Sequence, residues 1–287
     1  MWVVFALLTS LSESVKDVLG KSSTTKTNVI ITAFSVQFFG LLLLIPLVLL
    51  TGIPELKPSY WVAVLVGVFF IPAANILYMR AIKLAPLSVS VPMLSFNPIF
   101  TAFFSLIFDK RLPEAFGWLG IVCVCTGLYL SRLESNTTGR GLLYPILSVI
   151  HEPGPLSMLG VAFIWSIGAH VSKMVTTGSS PVFGAMSYGI VGSGTLAILG
   201  IASGKFDVKM IRTHIKQLSI LGLFNGVSEI AMNSALAIGF TPYVISIKRT
   251  NILWSSLLGR FLYKDRFNSY KLFGLLLMFL GVVLIII

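Results

Sequence analysis

Charge is scarce in this sequence. Only 11% of its 287 residues are Asp, Glu, Lys or Arg, against 56% hydrophobic residues, and the mean hydropathy is +0.93. A soluble globular domain carries about 25% charged residues, so the composition excludes one. Acidic residues are scarcest, 10 against 21 Lys and Arg, for a formal net charge of +11. On a soluble chain that excess would suggest nucleic acid. On a membrane chain it marks loops facing an anionic cytoplasmic leaflet, and no nucleic-acid partner is expected. Cysteine is also sparse. Cys123 and Cys125 lie two apart and would point to different sides of a helix, which suits packing rather than a disulfide or a metal pair. No His, Cys and carboxylate cluster has metal spacing. Gly20-Lys21-Ser22 lacks the leading glycine of an ATP-binding loop, because Val15 stands there, and Gly192-Ser193-Gly194 lacks the last glycine of a dinucleotide fingerprint. No cofactor is expected.

What is present is a series of apolar runs of about 20 residues, the length that crosses a bilayer. They are Trp2–Leu19, Val29–Leu50, Tyr60–Met79, Pro86–Phe108, Glu114–Ser131, Pro155–Val175, Pro181–Ala202, Leu218–Gly239, Pro242–Tyr263 and Ser269–Ile287. The expectation is an all-α membrane protein with ten transmembrane helices. Met1 opens directly into a span, so no cleavable signal peptide is expected. Gly141–Ile150 is apolar but too short to span and reads as an interfacial helix. Lys205–Gln217 reads likewise, with Val208, Ile211 and Ile215 on one face and Lys209, Arg212 and Lys216 on another. Lys and Arg concentrate in the loops after odd-numbered spans, which places those loops in the cytoplasm and both termini outside a cytoplasmic membrane. Asn136-Thr137-Thr138 is a glycosylation sequon on the expected cytoplasmic side.

The halves repeat. Adding 156 carries Ala6, Ser10 and Val15 onto Ala162, Ser166 and Val171, and Ala81, Ile82, Pro86, Ser90, Leu106 and Asp109 onto Ala237, Ile238, Pro242, Ser246, Leu262 and Asp265. Two residues fewer carries Gly120 and Gly127 onto Gly274 and Gly281. Five spans is an odd number, so the second copy crosses in the opposite sense: two inverted five-helix repeats, over 1–131 and 155–287, joined by a cytoplasmic loop at 132–154. The run AIKLAPLSVSVPMLSFNPIFTAFFSLIFDKRL and its echo AIGFTPYVISIKRTNILWSSLLGRFLYKDRF resemble the two halves of an EamA-type member of the drug/metabolite transporter superfamily. The resemblance implies ten helices in inverted repeats and export or exchange of small metabolites. Lys248-Arg249-Thr250 is similar to basic motifs with which sugar-phosphate and nucleotide-sugar members of the superfamily hold anions. Where EamA sequences usually end this span with Gly-Glu, this chain has Asp109 and Lys264-Asp265.

The ninth span carries Lys248, Arg249 and Asn251 at membrane depth, where an ionised side chain costs roughly 2.5–3.5 kcal/mol on insertion scales. Asn225, Glu229 and Asn233 form a stripe on the eighth span, and helical rise puts Glu229 within reach of Lys248 or Arg249 across a short turn. One carboxylate does not neutralise two cations, so an ion pair and an anion site both remain open readings, with Arg249 favoured for the pair and Lys248 for the ligand. Asn97, between Pro92 and Pro98, marks a helix kink that lines a cavity or merely fits packing. Trp165 and Asn251 are expected to shape that cavity with Asn97, and Gln37 faces it or bonds a neighbouring helix. His170 is the candidate for proton coupling, against a hydrogen-bonded packing residue. Lys16 is expected to snorkel to the interface beside Glu13. Ala185, Gly189 and Ser193 make a small-residue face for packing within the chain or in a homodimer.

The function expected is a secondary transporter, not an enzyme, that exports or exchanges a small polar metabolite, anionic if the basic pair binds it, by alternating access. Its partners are that metabolite and the lipid bilayer. The alternative is a non-transporting membrane protein such as a lipid-modifying enzyme or a receptor or scaffold. An enzyme would want paired carboxylates, a nucleophile with its base or a metal set, none of which is legible.

Overall fold

The computed structural model describes residues 1–24, 27–85, 87–132, 143–263 and 269–287. Among them there are helices and connecting loops and no strand. The sequon at 136–138, Lys264-Asp265 and most of the connecting segment (133–142) lie outside the described residues. The helices are α1 (Trp2–Thr24), α2 (Val29–Thr51), α3 (Pro58–Leu84), α4 (Leu87–Ser90), a 3-10 helix (Val91–Phe96), α5 (Asn97–Phe108), α6 (Ala115–Arg132), α7 (Tyr144–His151), α8 (Pro153–Thr177), α9 (Pro181–Ala202), α10 (Val208–Thr213), α11 (Ile215–Ile238), α12 (Thr241–Lys248), α13 (Asn251–Tyr263) and α14 (Ser269–Ile286).

Eight runs are long and apolar enough to cross a membrane: α2, α3, Val91–Phe108, α6, α8, α9, α11 and α14. The chain is therefore a multi-pass, all-α membrane protein. The other two expected spans fall short for reasons visible in the residues. Glu13, Lys16, Asp17 and Lys21 crowd one end of α1, and the ninth span is divided into α12 and α13 at Arg249-Thr250. The apolar piece before α8 is helical over Tyr144–His151, as its composition suggested. Of Lys205–Gln217, expected to form an interfacial helix, only Val208–Thr213 is a separate helix, capped by Asp207 accepting from the Lys209 and Met210 N–H groups, and Lys216 and Gln217 already belong to α11.

Two compact units divide the chain. One comprises Met1–Pro72 and Val171–Ile238, the other Ala73–His170 and Gly239–Ile287, with the boundaries inside α3 and α8. Each unit takes segments from both sequence repeats. In the first, α11 packs on α1 and α2, and α2 on α9. The Ala185–Gly189–Ser193 face is buried there, with Gly189 against Leu41 and Gly192 against Gln37. That is the intrachain use of the small-residue face. Lipid tails are as apolar as leucine, so helices associate through close packing rather than water exclusion, and glycine lets backbones touch.

In the second unit the tightest association is α6 with α14. A methyl group on Gly120 would lie 2.7 Å from the Gly281 carbonyl oxygen, and one on Gly274 would lie 2.5 Å from the Gly127 carbonyl oxygen. The repeat offset pairs Gly120 with Gly274 and Gly127 with Gly281. Each glycine therefore meets the counterpart of the other one, the reciprocal pattern of a two-fold relation. Leu128, Leu275, Met278 and Ile252 close a small core beside it.

Candidate functional site

The fourth span was expected to kink. It is instead broken into three helical pieces. Pro98 has no N–H to give to the Leu94 carbonyl, and the Asn97 N–H takes that carbonyl instead, an i→i−3 bond that tightens 91–96 into 3-10 geometry. In the ninth span the Thr250 hydroxyl donates to the Ile247 carbonyl at 2.7 Å, and the Thr250 N–H donates to the same oxygen at 3.0 Å. Threonine thus competes for the backbone and ends α12. The 156-residue offset carries Arg249-Thr250 onto Met93-Leu94, inside the 3-10 segment. Both halves break their fourth span at the same repeat position. Interrupted helices at matched positions are the best backbone pointer to a transporter's binding site, because non-helical backbone is tolerated at membrane depth where it is buried in protein or lines a cavity.

Arg249 stands at one of these breaks and Asn97 at the other. The Arg249 Nη2 donates to Asn97 Oδ1 at 2.8 Å. Asn97, 2% exposed, donates through Nδ2 to the Ala162 carbonyl at 3.0 Å, which fixes its amide so that oxygen faces the guanidinium. The Arg249 guanidinium also lies over the Trp165 indole, 5.5 Å from the ring centroid. Trp165 in turn stacks on Tyr78, with centroids 6.0 Å apart, above a core of Ala81, Met93, Tyr129, Met158 and Val161. Asn251 is buried at the start of α13, and Lys248 is half-buried at the end of α12. Asn97, Trp165 and Arg249 are thus brought together. Tyr78 was missed, because an aromatic near the end of an apolar run carries no local sign of its role.

Glu229 and Gln37 belong to the other unit. There Lys16 donates to Asn225 Oδ1 at 3.1 Å, and Asn225 donates to Gln37 Oε1 at 3.3 Å. Glu13 lies 4.0 Å from Lys16, and Asp17 and Glu229 are close enough to interact with its charge. Lys16 therefore turns inward instead of snorkelling, a correction that follows from the close approach of α2 and α11. A methyl group on Gly40 would lie 3.1 Å from the Gly222 carbonyl oxygen and 3.2 Å from Asn225 Nδ2, so glycine there leaves room for the amide chain to close. Farther along the stripe Asn233 accepts from Ser172 and Thr176 and donates to the Glu229 carbonyl. Asn225→Leu should remove the amide acceptor of the Lys16 ammonium at a cost of about 1.5–3 kcal/mol. Thermal unfolding in detergent checks this, and Lys16→Met in the same chain should restore most of the loss.

The EamA-like transporter family model matches residues 1–133 and 152–287, nearly the whole chain. The chain belongs to the EamA-like transporter family. Members of this family are membrane transporters of the drug/metabolite type and not enzymes. A solved structure titled "Crystal structure of protein" is similar in fold, with a TM-score of 0.80 at 15% identity over 99% of this chain and 96% of that one. No curated protein matches the chain.

Proposed function

We propose that this EamA-family transporter is a secondary carrier of the cytoplasmic membrane that exports or exchanges a small anionic metabolite by alternating access. On this reading α1 and the α12–α13 pair also cross the bilayer, giving ten helices in two inverted repeats. The observation that carries the reading is Arg249, oriented by Asn97 and Trp165 at the repeat-matched helix breaks. A planar guanidinium held in this way presents its charge in a fixed fork, the geometry that suits carboxylate and phosphate. Lys248, one position away, supplies a second cation, and Asn251 a neutral donor. Gln37 and Glu229 are candidate solute contacts within their own unit, in the cluster with Lys16 and Asn225. Purified protein in liposomes tests the reading: it should move a labelled carboxylate or phosphate compound drawn from a panel that stabilises it thermally. A panel in which only neutral or cationic solutes stabilise and move would overturn it.

The topology has its own check. Lys205, Lys209, Arg212 and Lys216 follow the seventh span, which places that loop inside. Cysteine substituted at exposed Ser203 should react with an impermeant thiol reagent only from the cytoplasmic side, and cysteine at exposed Glu55 only from outside. The reverse pattern would turn the carrier over in the membrane.

A further inference from the structure

The anion site leaves one buried titratable couple unused. His170, 1% exposed on α8, stacks its ring on Phe108 with centroids 4.9 Å apart and planes 10° apart. Its Nε2 lies 3.0 Å from the Thr101 carbonyl oxygen. A carbonyl only accepts, so this contact puts a hydrogen on Nε2. The other ring nitrogen, Nδ1, lies 3.4 Å from Asp109 Oδ2. A neutral ring protonated at Nε2 presents a lone pair at Nδ1, and an ionised carboxylate presents only lone pairs. At that distance in a poorly solvated place the two repel. One proton between them turns repulsion into a hydrogen bond, whether it is written as imidazolium against carboxylate or as neutral ring against carboxylic acid.

We propose that Asp109 and His170 jointly form a one-proton binding site through which the carrier couples to protons. The coupling rests on the carrier reading; the proton site does not. The side chain of Asp109 is 10% exposed and that of His170 is 0% exposed. The proton therefore enters from water at Asp109, at the end of α5, and takes the couple from a net charge of −1 to zero. It does not pass onward through Nε2, because the Thr101 carbonyl is no proton acceptor. The couple stores a proton and returns it by the same side. With the proton in place α8 is tied to α5 through both ring nitrogens; without it the Asp109 tie becomes repulsive. The proton therefore governs how firmly α8 is held to α5 at His170. Of the other charged groups nearby in the chain or on elements packed against α5, Lys110, Arg111 and Glu114 lie on the segment after it, and Lys173 lies on α8. Lys248 ends α12, and Arg132 ends α6. Arg111 is turned onto the Phe240 ring, 4.1 Å from its centroid.

The test uses full-length protein labelled with 15N-histidine. The chain has three histidines, and His170→Gln assigns the signals of His170 by their loss. Should that variant not fold, selective labelling with Asp109→Asn makes the assignment through the perturbed resonance. The expected spectrum has Nε2 protonated and Nδ1 protonated or hydrogen-bonded. In Asp109→Asn the amide donates to Nδ1 and keeps the couple neutral without a labile proton, so the His170 signals shift. A bare Nδ1 in the wild type, or spectra unchanged in Asp109→Asn, would overturn the proton site. In liposomes, uptake of labelled inorganic phosphate by the wild type should respond to an imposed pH gradient, and Asp109→Asn should lose that response while still moving phosphate. Wild-type uptake indifferent to the gradient would overturn coupling and leave the carrier reading intact. Absence of wild-type phosphate uptake would overturn coupled phosphate transport, with the carrier reading decided by the solute panel and the proton site by the spectra.

Discussion

Gly127→Val should prevent stable folding, and Gly274→Val should do the same. Position 127 faces the Gly274 carbonyl, and a side chain there would also lie 2.6 Å from Met278 Cγ and 2.8 Å from the Met278 backbone nitrogen. Two of these three obstacles are backbone atoms of a long helix, so no rotamer change relieves the overlap. Inserting methyl groups into a packed core costs about 1–3 kcal/mol when side chains can shift. Here the helices must separate along the seam, so the loss should reach or exceed the top of that range, against total stabilities of about 5–15 kcal/mol for folded domains. Expression and melting temperature in detergent measure it. Val122→Leu on the exposed face of the same helix is the control and should stay within about 0.5 kcal/mol. A Gly127→Val protein melting at the wild-type temperature would mean the α6–α14 seam is looser than described.

Arg249→Gln should remove anion binding while Asn97 remains in place. Truncating one partner of a buried, hydrogen-bonded charge contact costs about 2–5 kcal/mol in binding, so the affinity for the best anionic ligand should fall at least about thirtyfold. Arg249→Lys keeps the charge but loses the fork and the stacking on Trp165; it should recover only part of the affinity. Asn97→Ala removes one of the groups that orient the guanidinium and should weaken the anion less than Arg249→Gln does, with about 1.5–3 kcal/mol lost from stability as well. Lys248→Gln should weaken the anion without a comparable effect on melting. Ligand-induced shifts of the melting temperature separate these cases. Wild-type shifts and rates in both Arg249→Gln and Lys248→Gln, in folded protein, would remove the anion site.

The sequence by itself determined that this is a multi-pass helical membrane protein, because apolar run length and loop charge are local quantities that the bilayer reads directly. It also determined the repeat, through one constant offset, and located irregular backbone near Asn97, since proline and threonine act on carbonyls three or four residues away. Tertiary structure decided the rest. Asn97 and Arg249 lie 152 positions apart, and their contact depends on how two broken helices are set against each other. Lys16 was expected at the interface on the strength of its place in α1. It faces Asn225 because Gly40 and Gly222 let α2 and α11 approach closely enough to build an acceptor network. Asp109 carried only a repeat match in the sequence, and His170 only its own chemistry. Their 3.4 Å approach exists because α5 and α8 lie side by side, and no pattern of spacing within either helix encodes that pairing. Helix formation is settled over a few residues by hydrogen bonding and hydropathy. Which polar side chains meet depends on helix rotation and crossing, and only the packed chain supplies those.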